Sequence, residues 1–298
     1  MHNKTQRNFI LGDSWLYYKI YTGPKTSDTI LTEIIKPISE KLIEDNIIDK
    51  WFFIRYADPK HHIRVRFHYN NPEHIGHIIN SLYPHFKTFI EQDLIWKIQL
   101  ETYQREIERY GSNTIDIGET LFYHDSKMIV DFLNLIEGDE GEELRWLFSI
   151  RAIDSLLDSF KYSNEDKKNL LESLSIGFRS EFDTTKFLGK QLNDKYRNER
   201  SKLQEFMTFT TENNPDYAIL LELLNEKQNA IKEIVDAILD HNKRGALEMN
   251  LNNLMSSYIH MLMNRLFKSK NRMHEMVCYD FLCRYYKSMI ARQKSTVK

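Results

Sequence analysis

The spacing of apolar residues changes character along the chain. Two-residue alternation mixes with helical spacing as far as about residue 124, and from Asp125 onward the spacing is almost wholly helical. Ser14 to Tyr21 (SWLYYKIY) is rich in aromatic and β-branched residues and stops at Gly23-Pro24, which predicts a strand and a turn. Ser27 or Asp28 then caps a predicted helix with Ile30, Ile34, Ile38 and Leu42 along one face, kinked at Pro37. Trp51 to Tyr56 (WFFIRY) and His62 to Tyr69 (HIRVRFHY) predict two more strands, separated by an Asp58-Pro59 turn and close enough to pair as a hairpin. In the second of these Ile63, Val65 and Phe67 point one way, and Arg64, Arg66 and His68 the other. Asn71-Pro72 is a helix start, with Asn as cap and Pro at the first helical position, and the helix runs to about Asp93. Trp96 to Tyr103 is a further strand that leads into REIERYG at Arg105 to Gly111.

In the helical part, Asp125 or Ser126 opens a helix that Gly138 closes, and another covers roughly 142–160. Ser163 and Asp166 form a capping-box pattern. Helices follow near 184–212, 215–241, 245–268 and 272–291, with Asn214-Pro215 separating two of them. No internal repeat and no low-complexity linker interrupts the chain. The expectation is a single α+β domain over 1–298: mixed strands and helices at 1–124, then a predominantly helical part at 125–298.

Composition narrows the classes of function. The apolar share, 41%, is enough for a large core, so disorder is not expected. Lys and Arg number 41 against 43 Asp and Glu, and this balance argues against direct nucleic-acid binding or an anionic membrane partner. The aromatic share, 12%, suits core packing or, alternatively, a tyrosine-rich peptide groove. Cys278 and Cys283 match no zinc or redox spacing and fall in an amphipathic helical stretch, so they are expected to be buried thiols. Met1 to Phe9 carries no apolar signal core, and no apolar run approaches a membrane span, so a cytoplasmic setting is expected. There is no glycine-rich phosphate loop, no paired-histidine zinc motif and no serine nucleophile elbow, and His61-His62 lacks metal ligands at useful spacing. No cofactor and no metal are expected.

Three features carry candidate chemistry. Arg64 and Arg66 share one face of a strand, and two adjacent like charges are unfavourable unless an anion or a carboxylate neutralises them. The ordinary alternative is an exposed face laced with salt bridges. Arginine suits a carboxylate or phosphate site because its planar fork stays charged and binds bidentately. Glu106 and Arg109 sit three apart in YQREIERYG and can pair across a helical turn, which by itself describes a plain surface ion pair. His260 lies in a predicted helix, Leu247 to Phe267, whose apolar face reads Leu247, Leu251, Leu254, Tyr258 and Met261. Asn253, Ser256, Ser257, His260 and Asn264 form a polar stripe along it, which suggests a polar cavity rather than a lone structural histidine.

These stretches resemble the C-terminal elimination domain of class I lantibiotic dehydratases and its stand-alone relatives, the thiopeptide-type bacteriocin biosynthesis proteins. The matching segments are WLYYKIYTGP from Trp15, WFFIRYADPKHHIRVRF from Trp51, YQREIERYG from Tyr103, LFYHDS from Leu121 and SYIHMLMNRL from Ser257. They keep the family's order over nearly the whole chain. The resemblance implies elimination of glutamate from glutamylated Ser or Thr side chains of a ribosomally made precursor peptide, giving dehydroalanine or dehydrobutyrine. It implies a separate glutamyl-tRNA-dependent glutamylating protein as partner, since the family's large glutamylation domain is not part of the sequence. It places Arg64, Arg66, Glu106, Arg109 and His260 at the family's active-site positions, with Arg55 and Asn264 as expected substrate contacts. A homodimer is compatible with it. Two alternatives stay open: a pyridine-forming cycloaddition on the same fold, and a non-catalytic peptide-binding subunit of a modification complex.

Overall fold

A computed structural model describes residues 5–181 and 186–296. Among the described residues there are six strands: β1 (Asn8–Phe9), which the sequence pattern does not predict, β2 (Trp15–Thr22), β3 (Lys50–Tyr56), β4 (His62–His68), β5 (Ile95–Leu100) and β6 (Tyr103–Gln104). β2 to β5 form an antiparallel sheet in the order β3-β4-β2-β5, and β1 pairs antiparallel with β6. The expected hairpin is the β3–β4 pair, and the strand expected over Trp96 to Tyr103 divides between the two sheets.

The helices of the first part are α1 (Pro24–Thr29), α2 (Lys36–Glu44), α3 (His74–Glu91), α4 (Ile107–Tyr110) and α5 (Ile115–Leu133). A π-helical turn, Ile30–Ile35, joins α1 to α2, so the irregularity expected at Pro37 is spread over the turn before it. Pro24 rather than Ser27 or Asp28 opens the first helix, because its fixed φ suits the first helical position. Asn71 accepts a bond from Glu73 N in a turn, and the helix begins only at His74. The second part contains α6 (Gly138–Ser159), α7 (Asn164–Glu181), α8 (Lys186–Thr208), α9 (Ala218–Ala230), α10 (Lys232–Lys243), α11 (Leu251–Leu266) and α12 (Asn271–Thr296). The helix expected near 184–212 thus begins at Lys186, its first two residues lying outside the described ones.

Asp125 and Ser126 do not open a helix. They are buried in the middle of α5, where Ser126 Oγ donates to Phe122 O (2.7 Å) and accepts from Phe53 N (3.2 Å). Gly138, at φ +61°, takes the left-handed conformation at the join to α6. The helix expected over 215–241 breaks at Ile231, between α9 and α10. Gly245, at φ +65°, and Leu247 fall outside α11. The Ser163–Asp166 capping box is present: Asp166 N donates to Ser163 Oγ (3.2 Å) and Ser163 N to Asp166 Oδ2 (3.1 Å).

The α+β layout is as expected, with strands confined to the first part. Contacts divide the chain into two compact units, one of residues 1–135, 236–254 and 264–269, the other of 136–235, 255–263 and 270–298. In the first unit one sheet face is apolar: Leu16, Tyr18 and Ile20 of β2 stand beside Ile63, Val65 and Phe67 of β4, all buried. α3 lays Ile78, Leu82 and Phe86 inward, and the Phe86 ring meets Tyr18 at 5.8 Å. The second unit is helical. Its core includes Phe148, Ile153, Leu157, Leu171, Ile259, Leu262, Phe281 and Leu282. Lys167 is buried there with its charge answered by Asp154 and by Asp158 at 2.6 Å. Both cysteines are buried and free, and burial pushes the Cys278 thiol up to about 12. Among the described residues no helix is long and apolar enough to cross a membrane.

Two measurements check this packing. Phe67→Ala removes a fully buried ring from the sheet face and is expected to cost about 3–5 kcal/mol in denaturant unfolding. Iodoacetamide at neutral pH is expected to leave Cys278 unmodified in the folded protein and to alkylate it once guanidinium unfolds the chain.

Candidate active site

The other face of the sheet carries the charged residues, and strand register decides what surrounds them. Arg66 on β4 is directly opposite Tyr17 on β2 and Phe52 on β3. Its guanidinium therefore lies over both rings, at 4.3 and 5.1 Å, and over Tyr103 of β6 at 4.6 Å. Arg64, two residues along, is opposite Lys19 and Ile54, and its guanidinium lies 3.5 Å from the Tyr56 ring centroid. Trp15, Phe52, Tyr103, Phe122 and Tyr110 close one end of this face with edge-to-face contacts of 5.2 to 6.0 Å. Beyond them the face opens into a polar hollow of about 490 Å³, whose walls include Tyr17, Lys19, Arg64, Arg66, Glu101 and Glu106.

Most charges around this hollow are answered within the protein. Lys19 Nζ pairs with Glu101 at 2.9 Å and holds that carboxyl below its usual range. Arg7 pairs with Glu108. Buried Arg105 donates to both oxygens of Glu119, at 2.7 and 2.6 Å, and Tyr103 Oη donates to the same carboxylate at 2.7 Å. Arg109 meets Glu106 at 3.4 Å as an exposed i,i+3 pair. Arg64 and Arg66 differ from all of these, because neither has a carboxylate partner among the described residues. Arg66 is only 6% exposed, and its Nε has no hydrogen-bond partner among them. A desolvated guanidinium surrounded by rings and facing an open hollow is chemically suited to an anion.

The first unit holds a further buried guanidinium that sequence reasoning did not single out. Arg265 is fully buried, 3.7 Å from Asp125 and 5.0 Å from the Phe122 ring centroid, and burial pushes its pKa down to about 10. It therefore keeps its charge at neutral pH.

His260 belongs to the second unit. Its Nδ1 lies 2.9 and 3.1 Å from the two oxygens of Glu275, a buried carboxylate also reached by Arg272 at 3.3 Å and Tyr279 Oη at 3.4 Å. A carboxylate partner requires the proton on Nδ1, which leaves Nε2 to exchange protons with another group. The side chain is 30% exposed, and Ser256, Ser257 and Asn264 of the expected stripe are likewise half-buried. Glu275 lies on α12, whereas His260 lies on α11, and no sequence spacing pointed to it.

The structure thus gathers Arg64, Arg66 and Glu106 around one hollow and pairs Arg109 with Glu106. Arg55 lies on the opposite sheet face, opposite Ile63. Its guanidinium is engaged by Asp28, Ser27 and Arg265 O, the last at 2.9 Å. Asn264 exchanges two 2.9 Å bonds with the Arg55 main chain and so continues the edge of β3. Lys19, Glu101 and Arg105, which sequence reading missed, follow from cross-strand register and the turn after β5. The second unit has a cleft of about 310 Å³ between α8 and α12, with Arg200, Arg284 and Arg292 in its walls. Arg284 is held there by Asp280 and Asn193, and Arg292 by Gln204 and Ser288.

Residues 15–286 match the family model described as the lantibiotic biosynthesis dehydratase C-term. The chain is 28% identical over 177 residues to the subtilin biosynthesis protein SpaB of Bacillus subtilis, covering 57% of this chain and 17% of that protein. It is 24% identical over 273 residues to the nisin biosynthesis protein NisB of Lactococcus lactis subsp. lactis, covering 90% of this chain and 25% of that protein. The tRNA-dependent lantibiotic dehydratase MibB from Microbispora sp. 107891 shares the fold, with a TM-score of 0.73 and 21% identity over 95% of this chain and 29% of that one. The chain spans a quarter or less of the length of these two curated relatives.

The two kinds of arginine predict opposite responses. Arg66→Met removes a buried cation that has no carboxylate partner among the described residues, and is expected to raise stability by about 1 kcal/mol. Arg105→Met strands the buried Glu119 carboxylate and is expected to cost about 3–5 kcal/mol. Unfolding midpoints of the two variants provide the measurement.

Proposed function

Because the chain belongs to the lantibiotic biosynthesis dehydratase C-terminal family, we propose that it eliminates glutamate from glutamylated serine and threonine side chains of a precursor peptide. A hydroxyl is a poor leaving group, whereas a carboxylate whose parent acid has a pKa of about 4.3 is a good one. In the proposed step the Cα–H bond breaks and its electron pair forms the Cα=Cβ bond. The Cβ–O bond breaks as the double bond forms, glutamate departs as a carboxylate with the Cβ–O pair, and the proton goes to the protein's proton carrier. The products are dehydroalanine from serine and dehydrobutyrine from threonine. A separate glutamylating protein makes the ester that this reaction consumes.

One observation carries the reading: two guanidiniums, Arg64 and Arg66, share a strand face at an open hollow without carboxylate partners among the described residues. Their fixed charge suits both the enolate-like charge that develops beside Cα and the departing carboxylate, and such preorganised donors are commonly worth on the order of 3 kcal/mol each. Glu106 and Arg109 act as a pair, with Glu106 at the hollow and Arg109 held beside it. His260, oriented through Nδ1 by Glu275, is the proton carrier through Nε2. Arg55, on the opposite sheet face, and Asn264 hold each other at the edge of β3 and have no place at the hollow in this reading.

The test supplies a glutamylated precursor peptide and follows glutamate loss by mass spectrometry. Wild-type protein is expected to release glutamate and leave an alkene. His260→Ala is expected to slow release by about 10²–10⁴-fold, with the ester accumulating. Arg66→Ala is expected to slow it by about 10²–10³-fold. Full activity in both variants overturns the site assignment. Peptide binding without turnover, with the glutamylating partner present, would favour a non-catalytic subunit instead.

A further inference from the structure

His62 is buried beside the hollow, has no part in the proposed chemistry, and has both ring nitrogens committed. Its Nδ1 lies 2.8 Å from Lys60 O, which can only accept, so Nδ1 carries a proton. Its Nε2 lies 3.0 Å from Arg64 Nε, which can only donate, so Nε2 presents a lone pair. The two neighbours together dictate a neutral imidazole in one tautomer. Tyr21 flanks that ring at 4.7 Å with a 31° tilt, and Tyr56 meets it at 5.6 Å. The face of Tyr56 also lies under the Arg64 guanidinium at 3.5 Å. Arg64 is therefore gripped at Nε by His62 and from one face by Tyr56, which leaves its terminal nitrogens for the hollow it lines.

We propose that His62 is a positioning residue for Arg64: as a neutral acceptor it fixes the guanidinium in the orientation that receives substrate carboxylate, and it releases that grip when it is protonated. The inference rests on the elimination reading for what Arg64 receives, but not for how Arg64 is held. A carboxylate partner would grip an arginine more strongly, yet it would also neutralise it and compete with the ligand. A neutral imidazole orients the guanidinium and leaves its charge uncompensated.

The charged and titratable groups around the ring are Arg64 and His61 on β4 and the turn before it, Lys19 and Tyr21 on β2, and Tyr56 on β3. Burial, and after it Arg64, Lys19 and His61, outweigh the Lys60 carbonyl and hold the imidazole below the ordinary histidine value of 6.5. The sign follows directly. The neutral form, and with it the bond to Arg64, is kept at neutral pH and lost as pH falls below 6.5 through the depressed value.

The test uses the full chain labelled with ¹⁵N at histidine and arginine. At pH 7.5 the wild-type His62 ring is expected to show a proton on Nδ1 and none on Nε2, and Arg64 Nε–H is expected to exchange slowly. His62→Phe keeps the ring but not the acceptor. It is expected to speed that exchange and to lower kcat/KM for glutamylated peptide about tenfold, the size of one hydrogen bond to a charged group. His62→Gln supplies an amide oxygen and is expected to restore most of both. A protonated Nε2 at pH 7.5 overturns the proposal, and so does unchanged Arg64 exchange in His62→Phe. The wild-type tautomer decides the matter even if His62→Phe fails to fold. Absence of glutamate release from wild type, with the exchange contrast intact, sinks the elimination reading and leaves the role of His62 standing.

Discussion

Two guanidiniums on one strand face, held without a carboxylate partner among the described residues, are the constraint around which the first unit is arranged. Placing like charges two residues apart on β4 is unfavourable, and burying one of them is more so. The fold tolerates Arg66 because register brings Tyr17 and Phe52 beside it and β6 adds Tyr103, three ring faces that offer a cation partial compensation without neutralising it. Had any of these positions been Asp or Glu, the unit would hold an ordinary buried ion pair and the hollow would lose its attraction for anions. The aromatic residues at these positions thus contribute to electrostatics as well as to packing.

The contrast with Arg105 makes the point sharper. That side chain is equally buried, but Glu119 receives two of its hydrogen bonds and one from Tyr103. The Glu119 network anchors β6 to α5, and so it fixes the Tyr103 ring that lies over Arg66. One buried arginine is spent on structure so that another stays available. Lys19–Glu101 and Arg7–Glu108 repeat the logic at the rim, where charges cancel, whereas Arg64 and Arg66 form no salt bridge among the described residues.

Much of this was legible in the sequence, for identifiable reasons. The alternation of HIRVRFHY placed Arg64 and Arg66 on one face because a two-residue period survives folding unchanged. The polar row through Ser256, Ser257, His260 and Asn264 was visible because helical spacing is equally local. What escaped detection depends on contacts between elements. Glu275 is 15 residues from His260, and Arg105 finds Glu119 14 residues away; neither pairing follows from a local period. Asp125 and Ser126 were misread as a helix start because residues that commonly cap helices can also serve inside one, where Ser126 reaches β3. Arg55 shows the limit of composition: it lies in a strongly matching segment, yet strand parity turns it to the opposite face from Arg64.

The two histidines show how partners decide roles when residue type does not. A proton carrier needs one nitrogen held and one left open. His260 is compatible with that need, since Glu275 takes Nδ1 and no hydrogen bond among the described residues claims Nε2. His62 fails it, because Lys60 O and Arg64 Nε occupy both nitrogens. A ring bound on both sides has no lone pair to offer a substrate proton, but it is well suited to holding a neighbour still. The opposite saturation of these two imidazoles thus suits one residue type to two different tasks, moving a proton and holding a cation still.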